Sequence, residues 1–368
     1  MRIKELDGLR GIAVLAVISE HYLAWLPQVG ARYGWLGVDL FFVLSGFLIT
    51  GILLELREKK HYFGVFYARR ALRIFPPYYL AILVYLAISI AQGQLGTPDL
   101  WLRYIFYFGS LFVGQPPELM GTHPPVPEAV VLGLAVLWSL SVEEIYYTLW
   151  APVVRWTSQK GFAAILVAMI VAAPLLRGWL HTPQYPELFT FYCRMDGLAY
   201  GSAIALLIHE KRKDPAKWER IDNLVDRLAL FVFPATTVFW LWTAGDRTSV
   251  WVSTVGLVLA DLSFAILVHA LIRRSGGNAR WVRVLRTRWL RSVGMVSYSL
   301  YLFHYPLRWA AVELVSQVPM PRQAEAVLGV LLGLVLSFGV AYGLWYGMES
   351  RILRWKDQRV PSSAHPEV

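Results

Sequence analysis

LGVDLFFVLSGFLITGILLEL, residues 36–56, runs for 21 residues with charge only at Asp39 and Glu55, near its two ends. At 1.5 Å per residue such a helix is about 30 Å long, the thickness of the hydrocarbon core of a bilayer. A helix apolar on every face over that length is suited to lipid rather than to a water-facing surface. The pattern recurs outward from this stretch at 9–27, 76–92, 130–153, 162–180, 188–208, 228–244, 250–272, 292–315 and 324–348. Another apolar piece, 100–114, is short and runs into GQPPELMGTHPPVPE, so it reads as a re-entrant or interfacial segment. The 368 residues are 57% hydrophobic and only 16% charged, against roughly a quarter charged in soluble domains, which leaves no stretch for a separate soluble unit. The expectation is an all-α integral membrane protein of about ten transmembrane helices. One membrane domain would cover 1–355, with a short polar cytoplasmic tail over 356–368.

With the N-terminus in the cytoplasm, residues 1–10, 57–73, 154–160, 209–227, 273–291 and 351–368 share that side. They hold 28 of the 35 Lys and Arg residues, a bias that orients membrane proteins and sets both termini inside. An eleventh crossing at 100–114 would turn the later basic segments outside. The formal charge of +10 is thus accounted for by topology and contact with anionic lipid, and nucleic acid is not expected as a partner. The single cysteine, Cys193, excludes an intramolecular disulfide and thiolate metal clusters, and reads as packing. MRIKELDGLRG has the basic flank of a signal peptide, but no small-residue cleavage pattern comes after it, so 9–27 reads as the first retained span. No Walker loop, GxSxG elbow or HExxH motif occurs, and the histidines do not fall at ligand spacing, so no bound metal is expected.

Ionisable side chains inside spans are costly and therefore mark candidate sites. Arg10 and His21 lie eleven residues apart in the first span, on one helical face and about 16 Å apart along the axis. Ser139 and Glu143, in WSLSVEEIYY (138–147), are i,i+4 and share a face, with Tyr147 close by. Glu144 is rotated by about 100° from Glu143 and needs a different partner. Arg70 and Arg73, in FYARRALRIFPPYY (66–79), precede the third span, with Pro76 and Pro77 setting its start. Guanidinium forks there suit phosphate groups. Asp39 sits near the outer end of the second span, where Ser45-Gly46 permits close helix approach. Ser297, Tyr301, His304 and Arg308 share a face of the ninth span, with His304 at mid-depth. Asp39, Tyr147, Tyr301 and His304 are candidate pocket residues. Helix-to-helix hydrogen bonding and simple positive-inside signalling are the rival readings of these groups.

Six blocks in order, LDGLRGIAVLAVISEH, GVDLFFVLSGFLIT, FYARRALRIFPPYY, LWSLSVEEIYY, RMDGLAYGS and SYSLYLFHYPL, resemble the acyltransferase-3 family of membrane acyltransferases over roughly residues 3–350. That family includes bacterial O-acetylases of polysaccharides and related glycans. The resemblance implies a ten-helix membrane domain with cytoplasmic termini. It matches Arg10 and His21 to the family's arginine-x10-histidine signature, Arg70 and Arg73 to its paired arginines, and Ser139 and Glu143 to its serine/glutamate helix. Ile145 stands where the family usually has a glutamine. No fused extracytoplasmic hydrolase-like domain is expected, so a separate periplasmic partner enzyme is a candidate partner.

The resulting expectation is a multi-pass enzyme of the bacterial cytoplasmic membrane. It would use acetyl-CoA, or another acyl-CoA, as donor substrate and no bound cofactor, with a carbohydrate hydroxyl as acceptor. Arg10, Arg70 and Arg73 would bind the donor. His21 would act as general base or carry the acyl group briefly, oriented by Glu143 with Ser139. The alternatives are a transporter or flippase of a lipid-linked glycan, and a non-catalytic membrane scaffold.

Overall fold

The stretch quoted first is one unbroken helix, Leu36–Leu56, in the computed structural model, which describes residues 3–23, 31–111, 126–182, 184, 186–211 and 215–360. The fold is all-helical, with no strand among the described residues. In chain order the helices are α1 (Lys4–Leu23), α2 (Leu36–Leu56), α3 (Tyr62–Ala91), α4 (Pro98–Ile105), α5 (Glu128–Ala135), α6 (Trp138–Trp156) and α7 (Gln159–Leu180). Then come α8 (Phe191–Lys211), α9 (Pro215–Thr243), α10 (Leu257–Arg273), α11 (Arg280–Leu285), α12 (Arg288–Ser316), α13 (Arg322–Leu344) and α14 (Ser350–Arg359). A π-helical turn, Val252–Gly256, leads into α10, and another, Trp345–Glu349, joins α13 to α14.

Among the described residues, seven helical segments are long and apolar enough to cross a membrane: α2, α3, α5 with α6, α7, α9, α10 and α13 with α14. Helices α1, α8 and α12 are also long, at 20, 21 and 29 residues, but carry too many polar groups to meet that measure. Their place in the packing explains how they tolerate those groups. α1 lies against α2 and α12, while α8 lies against α2, α7 and α10, so their polar faces meet protein. The helices that face outward are α7, α9 and α13, where only 17%, 11% and 28% of the apolar stretch is buried. Lipid is the matching solvent for that surface.

Two glycine crossings bring the inner helices close. A Cβ at Gly201 of α8 would stand 1.9 Å from the Val43 carbonyl oxygen of α2, and one at Gly46 of α2 would stand 2.0 Å from that of Leu198. Backbones meet here because neither helix carries a side chain at the crossing. Buried ion pairs then tie the same helices. Asp39 accepts from Arg194 at 2.6 Å, joining α2 to α8, and Asp196 takes both Nη groups of Arg177 at 2.9 and 2.7 Å, joining α8 to α7. Arg177 also donates to the carbonyl of Cys193, whose side chain is wholly buried.

The start of α3 differs from expectation in two ways. The basic segment 57–73 is mostly helix, because α3 starts at Tyr62. Pro76 and Pro77 lie inside α3 rather than at its start. Each removes one N–H from the ladder, which a helix packed among neighbours in a bundle can tolerate. At the other end α14 continues to Arg359, and 361–368 lie outside the described residues. The apolar piece 100–114 overlaps α4, which is eight residues and about 12 Å long, too short to cross. GQPPELMGTHPPVPE falls almost wholly outside the described residues.

Candidate active site

Ser139 and Glu143, one turn apart on α6, line the same cavity, together with Arg10 of α1, Phe41 and Ser45 of α2, and Ser297 and Tyr301 of α12. Its volume is about 50 Å³, which is room for roughly a few waters and not for a thioester arm. Both oxygens of Glu143 are engaged. Ser45 Oγ donates to Oε1 at 2.7 Å and Tyr147 OH donates to Oε2 at 3.0 Å. The Arg10 guanidinium lies within charge range of Glu143 and Asp7. Ser139 Oγ and Tyr301 OH share a hydrogen bond of 2.7 Å, and Tyr301 OH also donates to the Val136 carbonyl at 3.0 Å.

Arg10, which lines this cavity, belongs to a group of arginines. Arg70 and Arg73, one turn apart on α3, stand close enough to Arg10 for the three charges to interact. Arg70 lays its guanidinium on the ring of Tyr147, 4.1 Å from the centroid, and its Nε has no hydrogen-bond partner among the described residues. A planar cation stacked on an aromatic face keeps its N–H edges free for an anion. Glu349, in the π-helical turn before α14, is within charge range of Arg73 and Arg10 and accepts from Ser299 at 2.6 Å. The sequence pattern does not single it out, because the last apolar stretch closes at 348. A π-helical turn inserts one residue and so rotates the helix beyond it, here bringing a glutamate inward.

His21 lies elsewhere than expected. Its Nδ1 meets Nε2 of His304 on α12 at 2.6 Å, and its ring stacks on Tyr305 with centroids 4.4 Å apart and planes 9° apart. Glu143 is not its partner, and Ser139 is not either; Ser45, Tyr147 and Tyr301 hold those two side chains instead. The reason is helix placement: α1 packs against α12, which brings His304 and Tyr305 to His21, while α6 packs against α2, which brings Ser45 to Glu143. Asp39 is not among the residues that line this cavity; Arg194 engages it in the α2–α8 packing. Glu144 is not among the residues that line the cavity, is half-buried, and lies within charge range of Arg70. Tyr301 connects the two regions, lining the cavity while its ring lies 5.8 Å from that of His304.

A polytopic helical bundle with an arginine cluster, a serine/glutamate cavity and a histidine along one central helix has the features of a membrane-bound group-transfer protein. The family model described as an acyltransferase domain, that of the acyltransferase-3 family, matches residues 3–346, and the chain belongs to that family. Among its relatives, the peptidoglycan O-acetyltransferase OatA of Listeria monocytogenes is 26% identical, over 89% of this chain and 53% of that protein. YrhL of Bacillus subtilis, by its name a candidate peptidoglycan O-acetyltransferase, is 29% identical over 82% of this chain and 48% of its own length. The O-acetyltransferase OatA of Staphylococcus aureus is 26% identical over 82% of this chain and 50% of that protein. The chain thus spans about half the length of the curated relatives it matches. No solved structure matches it.

Proposed function

We propose that this protein is an O-acetyltransferase of the bacterial cytoplasmic membrane, moving an acetyl group from cytoplasmic acetyl-CoA to a hydroxyl of a glycan. Ten helices cross: the seven apolar segments and α1, α8 and α12, with both termini in the cytoplasm. The membrane domain fills 1–355. Sugar hydroxyls of peptidoglycan are the first acceptors to test, in view of what the relatives are named for. A separate periplasmic enzyme is a candidate partner for onward transfer.

The observation that carries this reading is the order of groups along α1. Three interacting arginines stand at one end, His21 stands about three turns further along, and the cavity of Ser139, Glu143 and Tyr301 adjoins the face between them. Arg70 and Arg73 hold the phosphates of the donor, and Arg10 its pantetheine arm or thioester carbonyl. His21 takes the proton of the acceptor hydroxyl as the oxygen attacks the acyl carbon. The C–S bond then breaks and the proton passes to the thiolate. A cavity of about 50 Å³ must widen to admit the thioester, so donor binding moves helices or side chains around Tyr301.

The test is transfer by the purified protein in lipid vesicles, with labelled acetyl-CoA and a short glycan acceptor. Labelled ester should form with the unaltered protein and fall to background with His21→Ala at equal insertion. Near-normal ester formation by His21→Ala would remove His21 from the reaction, and none with any acyl-CoA would remove the donor.

A further inference from the structure

His304 is a fully buried histidine whose two nitrogens are both engaged, and the direction of those hydrogen bonds can be worked out. Its Nδ1 lies 2.7 Å from the backbone carbonyl oxygen of Tyr301. A carbonyl oxygen only accepts, so His304 Nδ1 carries the hydrogen. Among the described residues no carboxylate lies within 4 Å of this ring to support a second, charged proton on it. Its Nε2 is therefore a bare acceptor, and the hydrogen in the 2.6 Å contact with His21 belongs to His21 Nδ1. The same count leaves His21 Nε2 with a free lone pair.

We infer that His304 is a positioning residue, one that holds His21 in the tautomer with Nδ1 protonated and Nε2 basic. This inference rests on the proposed transfer for its use, though the tautomer itself does not. The pair is held rigidly. Tyr22, next to His21, donates to the His304 carbonyl at 2.8 Å and bonds Ser337 of α13 at 2.7 Å, so α1 is pinned to α12 beside the contact. Tyr305 fixes the plane of the His21 ring by stacking. When His21 Nε2 takes the hydroxyl proton and the C–O bond forms, the new imidazolium keeps its Nδ1–H bond to the His304 lone pair. When the C–S bond breaks, the proton leaves from Nε2 to the thiolate and the neutral pair is restored. A second imidazole thus fills the orienting place that a carboxylate fills in other acyl transferases.

Nitrogen-15 NMR of the histidine-labelled protein in lipid nanodiscs tests the tautomer, with His21 assigned by the signals that His21→Ala removes. His21 should show protonated Nδ1 and unprotonated Nε2, and His304→Leu should convert it to the other tautomer or a mixture. The reverse tautomer in the unaltered protein overturns the inference. In the transfer assay, His304→Leu should lower kcat by about 100-fold or more. His304→Gln, whose side-chain carbonyl can accept where Nε2 did, should stay within about tenfold of the unaltered protein. Equal loss in both variants would make His304 a packing residue. Correct tautomer signals with no transfer by the unaltered protein would sink the proposed function and leave the tautomer assignment standing.

Discussion

The hydroxyl of Ser45 donates to Glu143 Oε1 across 2.7 Å, so the carboxylate on α6 is held by α2 and not by the histidine on α1. With Tyr147 on the other oxygen and Arg10 within charge range, Glu143 belongs to the arginine end of the site. The polar residues therefore divide into a group around Glu143 and the arginines and a group around His21, with Tyr301 between them.

Glu143→Gln should lower turnover by about 100-fold at matched protein level, since it removes the charge opposite Arg10 and cannot accept from both Ser45 and Tyr147. Ser45→Ala leaves the carboxylate with one donor and should cost less. Glu144→Gln should change turnover less than about fivefold, since Glu144 does not line the cavity and its Oε1 has no hydrogen-bond partner among the described residues, and act mainly on yield or Tm. Transfer assays on the three reconstituted variants give the ranking. The same turnover for the two glutamine variants would mean that the wrong face of α6 has been assigned to the cavity.

Arg70 and Tyr147 should separate donor binding from turnover. Arg70→Ala removes a charge-assisted phosphate contact and should raise the donor KM by about ten- to 100-fold. Arg70→Lys should recover only part of it, because an ammonium lacks the planar fork that stacks on Tyr147. Tyr147→Phe keeps the ring under Arg70 and deletes the hydrogen bond to Glu143, so kcat should fall while the donor KM moves less than about twofold. A donor KM indifferent to Arg70→Ala would reduce this arginine to a topology signal.

The helices are readable in the sequence because lipid demands about 20 apolar residues per crossing, and few other pressures produce such runs. The start of α3 is not. Charge density and Pro76-Pro77 suggest a loop, yet Arg69, Arg70 and Arg73 are good helix formers and the prolines sit inside the helix. Sharing of faces within a helix is also legible, as Ser139 and Glu143 illustrate. Partnership between helices is not, because periodicity fixes a direction on one helix and says nothing of what lies opposite. His21 and His304 are 283 residues apart, and the sequence offers Glu143 as an equally reasonable neighbour. Ser45 reads as a small residue for close approach, whereas its hydroxyl reaches a carboxylate.

Orientation can be checked without activity. In a Cys193→Ser background, a cysteine at the exposed Gln92 should react with a membrane-impermeant maleimide on intact cells. One at the exposed Asn278 should react only after the membrane is opened. Labelling of both from the same side would break the ten-crossing topology.

The final prediction concerns the buried charges that hold α2, α7 and α8. Asp39 and Asp261 lie within charge range of both the Arg194 and the Arg177 guanidiniums, and Asp196 pairs with Arg177. Asp39 and Asp196 make the direct ion pairs, while Asp261 Oδ1 has no hydrogen-bond partner among the described residues. The two halves of the Asp39–Arg194 pair are therefore not equivalent. Asp39→Asn leaves two carboxyls for two guanidiniums, and Asp261 remains within charge range of Arg194 as a substitute. Arg194→Met leaves three carboxyls around Arg177 alone, with Asp39 buried and stripped of its donor. Losing one partner of a buried pair costs about 3–5 kcal/mol, and Arg194→Met should lie in that range. Asp39→Asn should cost about 1–3 kcal/mol, closer to the loss of a hydrogen bond to a charged group. Tm values in one detergent would rank them, and adding Asp261→Asn to the Asp39→Asn variant should remove its advantage. If Asp39→Asn lowers Tm as much as Arg194→Met, or if the added change makes no difference, Asp261 does not serve as the reserve carboxylate.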